Sequence, residues 1–361
     1  MNKKEKRLVI ELCKFRKSWF DKDLLEYASP AVLGYIFYNR MQAIAFDRLR
    51  KHNLLGKINR EFRSALQMAY EQNAMRNKSF FQCIDMVTKI LAACSCKVAM
   101  LKGAYLCPYY PDGYRTSNDI DLLVMPEDIT VVGDILADAG FKQGSIQNGK
   151  FIPASRIDII ESRVLRGEVV PYIKEVNLPY MKYLEVDINF SLDYKNGNDH
   201  LVQSLLNNIY IAREKNLNIP TLNKTDFFIH LCAHLYKEAT TIPWIEMRRD
   251  MTLYKYCDIY YLLSEMDEKD VENVFSRSKD LGLEKICAYA ILETMCIFDM
   301  NNEFTQKLAI EALDGDFNFL LQVISPKNKK KFTYRTRSAK KRFFTENRIR
   351  DLMEVTQNET S

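Results

Sequence analysis

Apolar residues recur mostly at three- and four-residue steps from Lys4 to about Ala92: Leu8, Leu12 and Phe15, then Leu24, Leu25 and Tyr27, then Val32, Leu33, Tyr35 and Ile36. That period marks one face of an α-helix, so residues 1–92 are predicted to form an N-terminal helical region. Ser29 followed by Pro30 suits an N-cap and a first helical position. Longer helices are predicted over Phe46–Leu54 and from Ile58 to about Leu91. This region pairs no reactive groups and reads as scaffold or lid.

The period changes at Lys97. Val98-Ala99-Met100-Leu101 is a short apolar run ending at Lys102-Gly103, the pattern of a buried strand. Tyr110-Pro111-Asp112-Gly113-Tyr114 marks a turn, and Asp119-Ile120-Asp121-Leu122-Leu123-Val124 reads as a second strand. Pro126-Glu127-Asp128 then opens an amphipathic helix that runs to Gly140, with Pro and acids in its first turn. Further strands are predicted at Arg156–Glu161, at Gly167–Val176, and at Tyr183–Phe190, where polar and apolar residues strictly alternate. After Asn196-Gly197-Asn198 the helical period returns and persists to about Val323. The expected organisation is a core over 93–200, a C-terminal helical domain over 201–325 and a basic tail over 326–361. No repeat period is evident, which disfavours a solenoid.

Composition narrows the class. The chain has 361 residues, 47% hydrophobic and 27% charged. That is enough for more than one packing unit and excludes wholesale disorder. With only 12 Gly and 10 Pro, backbone breakers are sparse, which disfavours a mostly-β fold. Nine cysteines, an odd number, follow a start that lacks an apolar signal core, so reduced thiols in a cytoplasmic setting are expected. No Cys/His spacing suits zinc, and no apolar run is long enough to cross a membrane. The formal charge is a mild +5, but Lys327 to Arg350 holds eleven Lys or Arg against one acid, Glu346. That local net of +10 leaves −5 for the rest of the chain.

The acids that matter are Asp119 and Asp121. Separated by one residue in a strand, they project from the same face and repel each other unless a cation lies between them. Hard oxygen ligands of this kind favour Mg²⁺ or Mn²⁺. Asp187, in the later alternating strand, could supply a third carboxylate. Gly103 stands where a strand gives way to a helix, a place where backbone N–H groups can meet phosphates.

Met100-Leu101-Lys102-Gly103-Ala104-Tyr105-Leu106, followed by Tyr110-Pro111-Asp112-Gly113-Tyr114-Arg115-Thr116-Ser117-Asn118-Asp119-Ile120-Asp121-Leu122-Leu123-Val124, resembles the LKG…YP…R..SDIDLLV signature of the uncharacterised nucleotidyltransferase-like family in the DNA polymerase β superfamily. The resemblance extends over roughly Leu91 to Leu263. It implies an α+β fold: a polymerase-β-like core, a small mixed sheet with helices, flanked by N-terminal and C-terminal helical regions. It also implies that Gly103 starts a phosphate-contacting turn and that Asp119, Asp121 and Asp187 hold two Mg²⁺ ions, with Mn²⁺ as a substitute. Two positions depart from the family's habits: Ala104 stands where many members carry a second Gly or a Ser, and Asn189 where related sequences often carry His.

The reaction expected from this set is transfer of an NMP from an NTP, ATP first among them, to an acceptor hydroxyl. Lys102 and Arg115 are the nearest cations to neutralise phosphate charge, and Ser117 either contacts phosphate or caps the turn. Lys102, Gly103, Ala104, Arg115 and Ser117 form the expected nucleotide-binding group. His230 and His234 are four apart on a predicted helix but lack the Glu and third ligand of a zinc site. His234, Lys237 and Asp258 are candidates for lining a cleft, while Lys255 and Asp258 are spaced for a helix-surface pair. The basic strip Lys327 to Arg350 suits RNA, an acidic protein partner or an anionic surface, or is a solvated tail. The acceptor stays open among RNA, a small molecule and a protein or peptide. Two further readings are a catalytically silent nucleotide- or RNA-binding module and the toxin component of a toxin–antitoxin pair.

Overall fold

The computed structural model describes residues 1–166, 169–192 and 199–355. Helices α1 (Lys3–Cys13), α2 (Pro30–Tyr38), α3 (Gln42–Lys51) and α4 (Arg60–Leu91) come first. They are followed by β1 (Ala99–Leu101), α5 (Gly103–Tyr109), β2 (Asp119–Leu123), α6 (Ile129–Asp138), β3 (Lys142–Gln147), β4 (Lys150–Pro153), α7 (Arg156–Arg166), β5 (Tyr172–Leu178) and β6 (Met181–Asn189). Next are α8 (Asp199–Leu206), the strands β7 (Ile209–Glu214) and β8 (Leu217–Leu222), and helices α9 (Lys224–Ala239), α10 (Ile242–Glu246), α11 (Leu253–Leu263), α12 (Glu268–Asp280), α13 (Glu284–Phe298) and α14 (Glu303–Ala312). The chain closes with β9 (Gln322–Ile324), β10 (Lys331–Tyr334), α15 (Ala339–Phe343) and β11 (Leu352–Glu354). The fold is α+β. The chain divides into two compact units, Gln67–Phe227 and a discontinuous one made of Met1–Leu66 with Phe228–Ser361.

In Gln67–Phe227 a six-stranded sheet runs in the order β1-β2-β6-β5-β3-β4. β2 and β6 pair in parallel and the other neighbours are antiparallel. Period-two alternation sends Ile120, Leu122, Leu184, Val186 and Ile188 to one face, where all are fully buried. At about 1.5–3 kcal/mol for each such side chain, this face fixes the register of both strands. The opposite parity, Asp119 and Asp121 with Glu185, Asp187 and Asn189, is thereby set on the other face.

Three sequence expectations change in this unit. Arg156–Glu161 is the start of helix α7, not a strand. Its apolar residues Ile157, Ile159 and Ile160 satisfy either period, and a run this short does not choose between them. Within the stretch expected to be helical, Ile209–Leu222 forms the antiparallel hairpin β7–β8, closed by Lys215 and Asn216, both at positive φ. Thr221 Oγ1 donates to the Met100 carbonyl at 2.6 Å, tying the hairpin to β1. The strand expected at Gly167–Val176 is observed as β5 from Tyr172; Gly167 and Glu168 lie outside the described residues, as do residues 193–198 with the Asn196-Gly197-Asn198 turn.

In the discontinuous unit, Ser29 caps α2 as its position before Pro30 suggests, its hydroxyl accepting from Val32 N at 3.3 Å. Arg48 is buried and donates to the carbonyls of Glu11, Lys17 and Trp19, with the Glu11 carboxylate as its charge partner. The C-terminal segment is folded onto this unit. β9, β10 and β11 form a three-stranded antiparallel sheet, and Tyr35 Oη donates to the Phe343 carbonyl at 2.8 Å. Two cations of the basic strip are interior: Arg342 pairs with Glu293, and Arg348 is bidentate to Asp250 at 2.5 and 2.6 Å. Among the described residues, no helix is long and apolar enough to cross a membrane. The nine cysteines are all free thiols.

Candidate functional site

The site grows from the junction of three strands. β1 ends at Leu101, which is opposite Asp121 of β2, so the residue that follows, Lys102, turns back toward the β2 carboxylates. Lys102 adopts φ 45° and ψ −117°, a conformation that costs a non-glycine residue on the order of 1–3 kcal/mol. Its ammonium lies 2.6 Å from Asp121 Oδ1. Gly103, the first residue of α5, must lack a side chain: a Cβ there would sit 2.6 Å from both Cβ and Oγ of Ser117. Ser117 in turn donates to Asp119 Oδ1. The turn after β1 and the approach to β2 are therefore packed against each other, with the carboxylates as the common element.

In the parallel pairing of β2 with β6, Asp119 is in register with Glu185 and Asp121 with Asp187. Four carboxylates thus share one face of two adjacent strands. Their electrostatics split. Burial raises the Asp119 carboxyl, but the Ser117 hydroxyl, Lys102 and Arg115 outweigh it and hold Asp119 below its ordinary range. Asp187 goes the other way: burial, then the charges of Asp121, Glu185 and Asp119, push it well above the ordinary carboxylate range. Glu185 is raised by burial and by Asp119 and Asp121. Asn189 directs its side-chain amide to Asp121 Oδ1 at 3.4 Å.

Lys102, Gly103, Ala104, Ser117, Asp119, Asp121 and Asp187 are thus brought to one neighbourhood by β1, α5, β2 and β6. Ala104 is fully buried, so its side chain packs inward and only its backbone N–H, in the first turn of α5, offers a donor. Arg115 donates to the Thr116 carbonyl at 2.6 Å while its charge acts on Asp119. Glu185 is the member that sequence reasoning passed over. Its signal was present, because it shares the parity of Asp187 in the same alternating strand.

All four carboxylates are hard oxygen donors, and their mutual repulsion is the condition a divalent cation relieves; in charge and donor chemistry they fit Mg²⁺ or Mn²⁺. The arrangement is nevertheless not a finished cage. Among the described residues no group of three or more His, Cys, Asp or Glu converges in a metal-holding geometry, and the cation standing at Asp121 is Lys102.

His234, Lys237 and Asp258 belong to the other compact unit, on α9 and α11. His234 Nε2 lies 3.4 Å from Glu238 Oε1, and its ring stacks at 6.4 Å on that of His230. Asp258 is buried. The expected surface position of Lys255 and Asp258 is corrected: both are buried, and Lys255 pairs with Glu238 and lies 4.9 Å from the Trp244 ring centre. An acid seventeen positions upstream on α9 competes for the ammonium, which i,i+3 spacing alone does not reveal.

A family model described as uncharacterised nucleotidyltransferase matches residues 29–299. Among solved structures, an antigenic nucleotidyltransferase-like protein from Paracoccidioides brasiliensis is similar at 13% identity, over 57% of this chain and 91% of that one, with a TM-score of 0.31. No curated protein matches.

Proposed function

Since the chain belongs to the family of uncharacterised nucleotidyltransferases, we propose that it moves a nucleoside monophosphate from an NTP to an acceptor hydroxyl at the β1–β2–β6 face. The observation that carries this reading is the register of β2 with β6, which sets Asp121 beside Asp187 and Asp119 beside Glu185. Asp119, Asp121 and Asp187 would hold Mg²⁺, which when bound polarises the α-phosphate and the acceptor hydroxyl. The remaining work belongs to the chain. The N–H groups of Gly103 and Ala104 and the Lys102 ammonium receive the phosphates, and Arg115 adds positive charge. The acceptor oxygen bonds to the α-phosphorus, the bond to the bridging oxygen breaks, and pyrophosphate leaves. Asp187, whose carboxyl is pushed well above the ordinary carboxylate range by burial and the neighbouring acids, takes the hydroxyl proton.

The test offers each of four NTPs labelled at the α-phosphate, with Mg²⁺ and a cell extract as the source of acceptors. Label should enter RNA, protein or a small solute, and D119N/D121N should abolish it. Transfer that persists in the double variant sinks the proposal. One observation favours a second reading, nucleotide binding without transfer: Lys102 already neutralises Asp121. Calorimetry separates the two, because a silent module would bind ATP equally well with Mg²⁺ and with chelator.

A further inference from the structure

Of the eleven cations between Lys327 and Arg350, Arg342 and Arg348 are spent on interior acids, Lys330 pairs with Glu354 and Lys340 with Asp299. The other seven, Lys327, Lys329, Lys331, Arg335, Arg337, Lys341 and Arg350, are exposed, and among the described residues none is in an ion pair. Of the nearby acids, exposed Glu346 offsets only one of the seven charges, and two others are engaged. Asp351 accepts from the Thr336 amide and hydroxyl at 3.2 and 3.0 Å, and Glu354 is held by Lys330. Because the segment is fixed by two buried ion pairs and a three-stranded sheet, these charges keep set positions.

On β10 the alternation is plain. Phe332 and Tyr334 pack on Ile245, Leu321 and Val323, so Lys331, Thr333 and the following Arg335 take the opposite parity, spaced about 7 Å apart. Cation, hydroxyl, cation is a row of side chains that donate to phosphate oxygens. The aromatic residues of the segment are engaged elsewhere. Tyr334 and Phe343 are buried, and Phe344 stacks on Tyr35 at 5.4 Å. No ring of the strip is left to stack on an unpaired base or to anchor in a bilayer, so recognition falls to the phosphates. The exposed apolar side chains nearby, Ile324, Ile349 and Met353, lie on three separate elements.

We propose that the β9–β10–β11 sheet and its flanking turns form a docking surface for the phosphodiester backbone of double-helical nucleic acid. The surface is independent of nucleotidyl transfer, and it is tested with the full chain and no NTP, so its failure and that of the transfer reading are separate results. Anisotropy of a labelled 20-bp RNA duplex and of a DNA duplex of the same sequence, between about 50 and 200 mM salt, should show affinity falling with a log–log slope of about −0.9 per neutralised phosphate. The tighter duplex identifies the source of the backbone. K329Q/K331Q/R335Q should lose at least tenfold in affinity and about 2.7 in slope, with an unchanged melting temperature, while K269Q/K279Q/K307Q, neutral to the same extent on α12 and α14, should lose far less. Equal losses in the two triple variants overturn the proposal. So does absence of duplex binding at low salt, or binding confined to phosphatidylserine vesicles.

Discussion

Asp121 and Asp187 are register partners across the parallel pairing of β2 and β6, and the Asp121 charge is the strongest of the neighbouring charges that keep the Asp187 carboxyl protonated above its ordinary range. Two strands held together by fully buried Ile120, Leu122, Val186 and Ile188 thus force together acids that repel. The hydrophobic face supplies the stability that the polar face spends.

That opposition gives a pH dependence. A carboxyl raised in the folded state contributes stability below its unfolded value, near pH 4, and loses that contribution as pH rises through the raised value. In chelator, the melting temperature should therefore decline as pH rises above the unfolded carboxylate value. D187N should flatten most of this decline, and D187N/E185Q should flatten it further, since Glu185 is raised as well. Mg²⁺ at about 100 times its dissociation constant should restore roughly 2.7 kcal/mol to the natural chain and much less to D187N. A flat profile in the natural chain would show that the carboxylates do not repel.

Lys102 is the cation nearest these acids, and in transfer it is assigned to phosphate. K102M should lower the transfer rate by about 10²–10³. It should also shift the Asp119 titration upward, because Lys102 is one of the charges that hold it down. Single-turnover kinetics and carboxyl NMR read the two effects separately; transfer at the natural rate would remove Lys102 from phosphate handling.

Gly103 is required for space. G103A puts a methyl group 2.6 Å from Ser117 Cβ and Oγ and should cost about 1–3 kcal/mol by urea unfolding. S117G should recover much of that loss, since it removes both clashing atoms. S117A should recover less, because Cβ remains.

Breaking the Arg348–Asp250 pair should be among the most costly single changes outside the apolar core. R348A leaves the fully buried Asp250 carboxylate without its bidentate partner and should cost about 3–5 kcal/mol. R348A/D250N, read in the same urea titration, should be less damaging than R348A alone, because no buried charge is stranded.

What the sequence disclosed follows physical range. The alternation around Asp187 and the Asp-x-Asp spacing in β2 are local, and local patterns set strands and faces, so the carboxylate side of the site was legible before any coordinates. The pairing of Asp119 with Glu185 was not, because register is decided by which apolar rows meet. The β7–β8 hairpin escaped because Lys215-Asn216 is a weak turn signal beside Asn-Gly. Arg342 and Arg348 read as members of a solvated strip because their acids lie 49 and 98 positions upstream, beyond any helical or strand spacing.

The discontinuous unit also sets an order on synthesis. A ribosome delivers Met1–Leu66, then all of Gln67–Phe227, before the residues that complete the first segment exist: Leu253, whose amide bonds Asn39, Asp299 for Lys14, and Phe343 for Tyr35. The sheet bearing the carboxylates can therefore close on itself while Phe15 still waits for the Tyr260 and Tyr261 rings, Tyr35 for Phe343 and Asn39 for Leu253. The N-terminal segment thus keeps these particular groups unmet for as long as the middle of the protein takes to be made, and its last contacts form only with the final third of the chain.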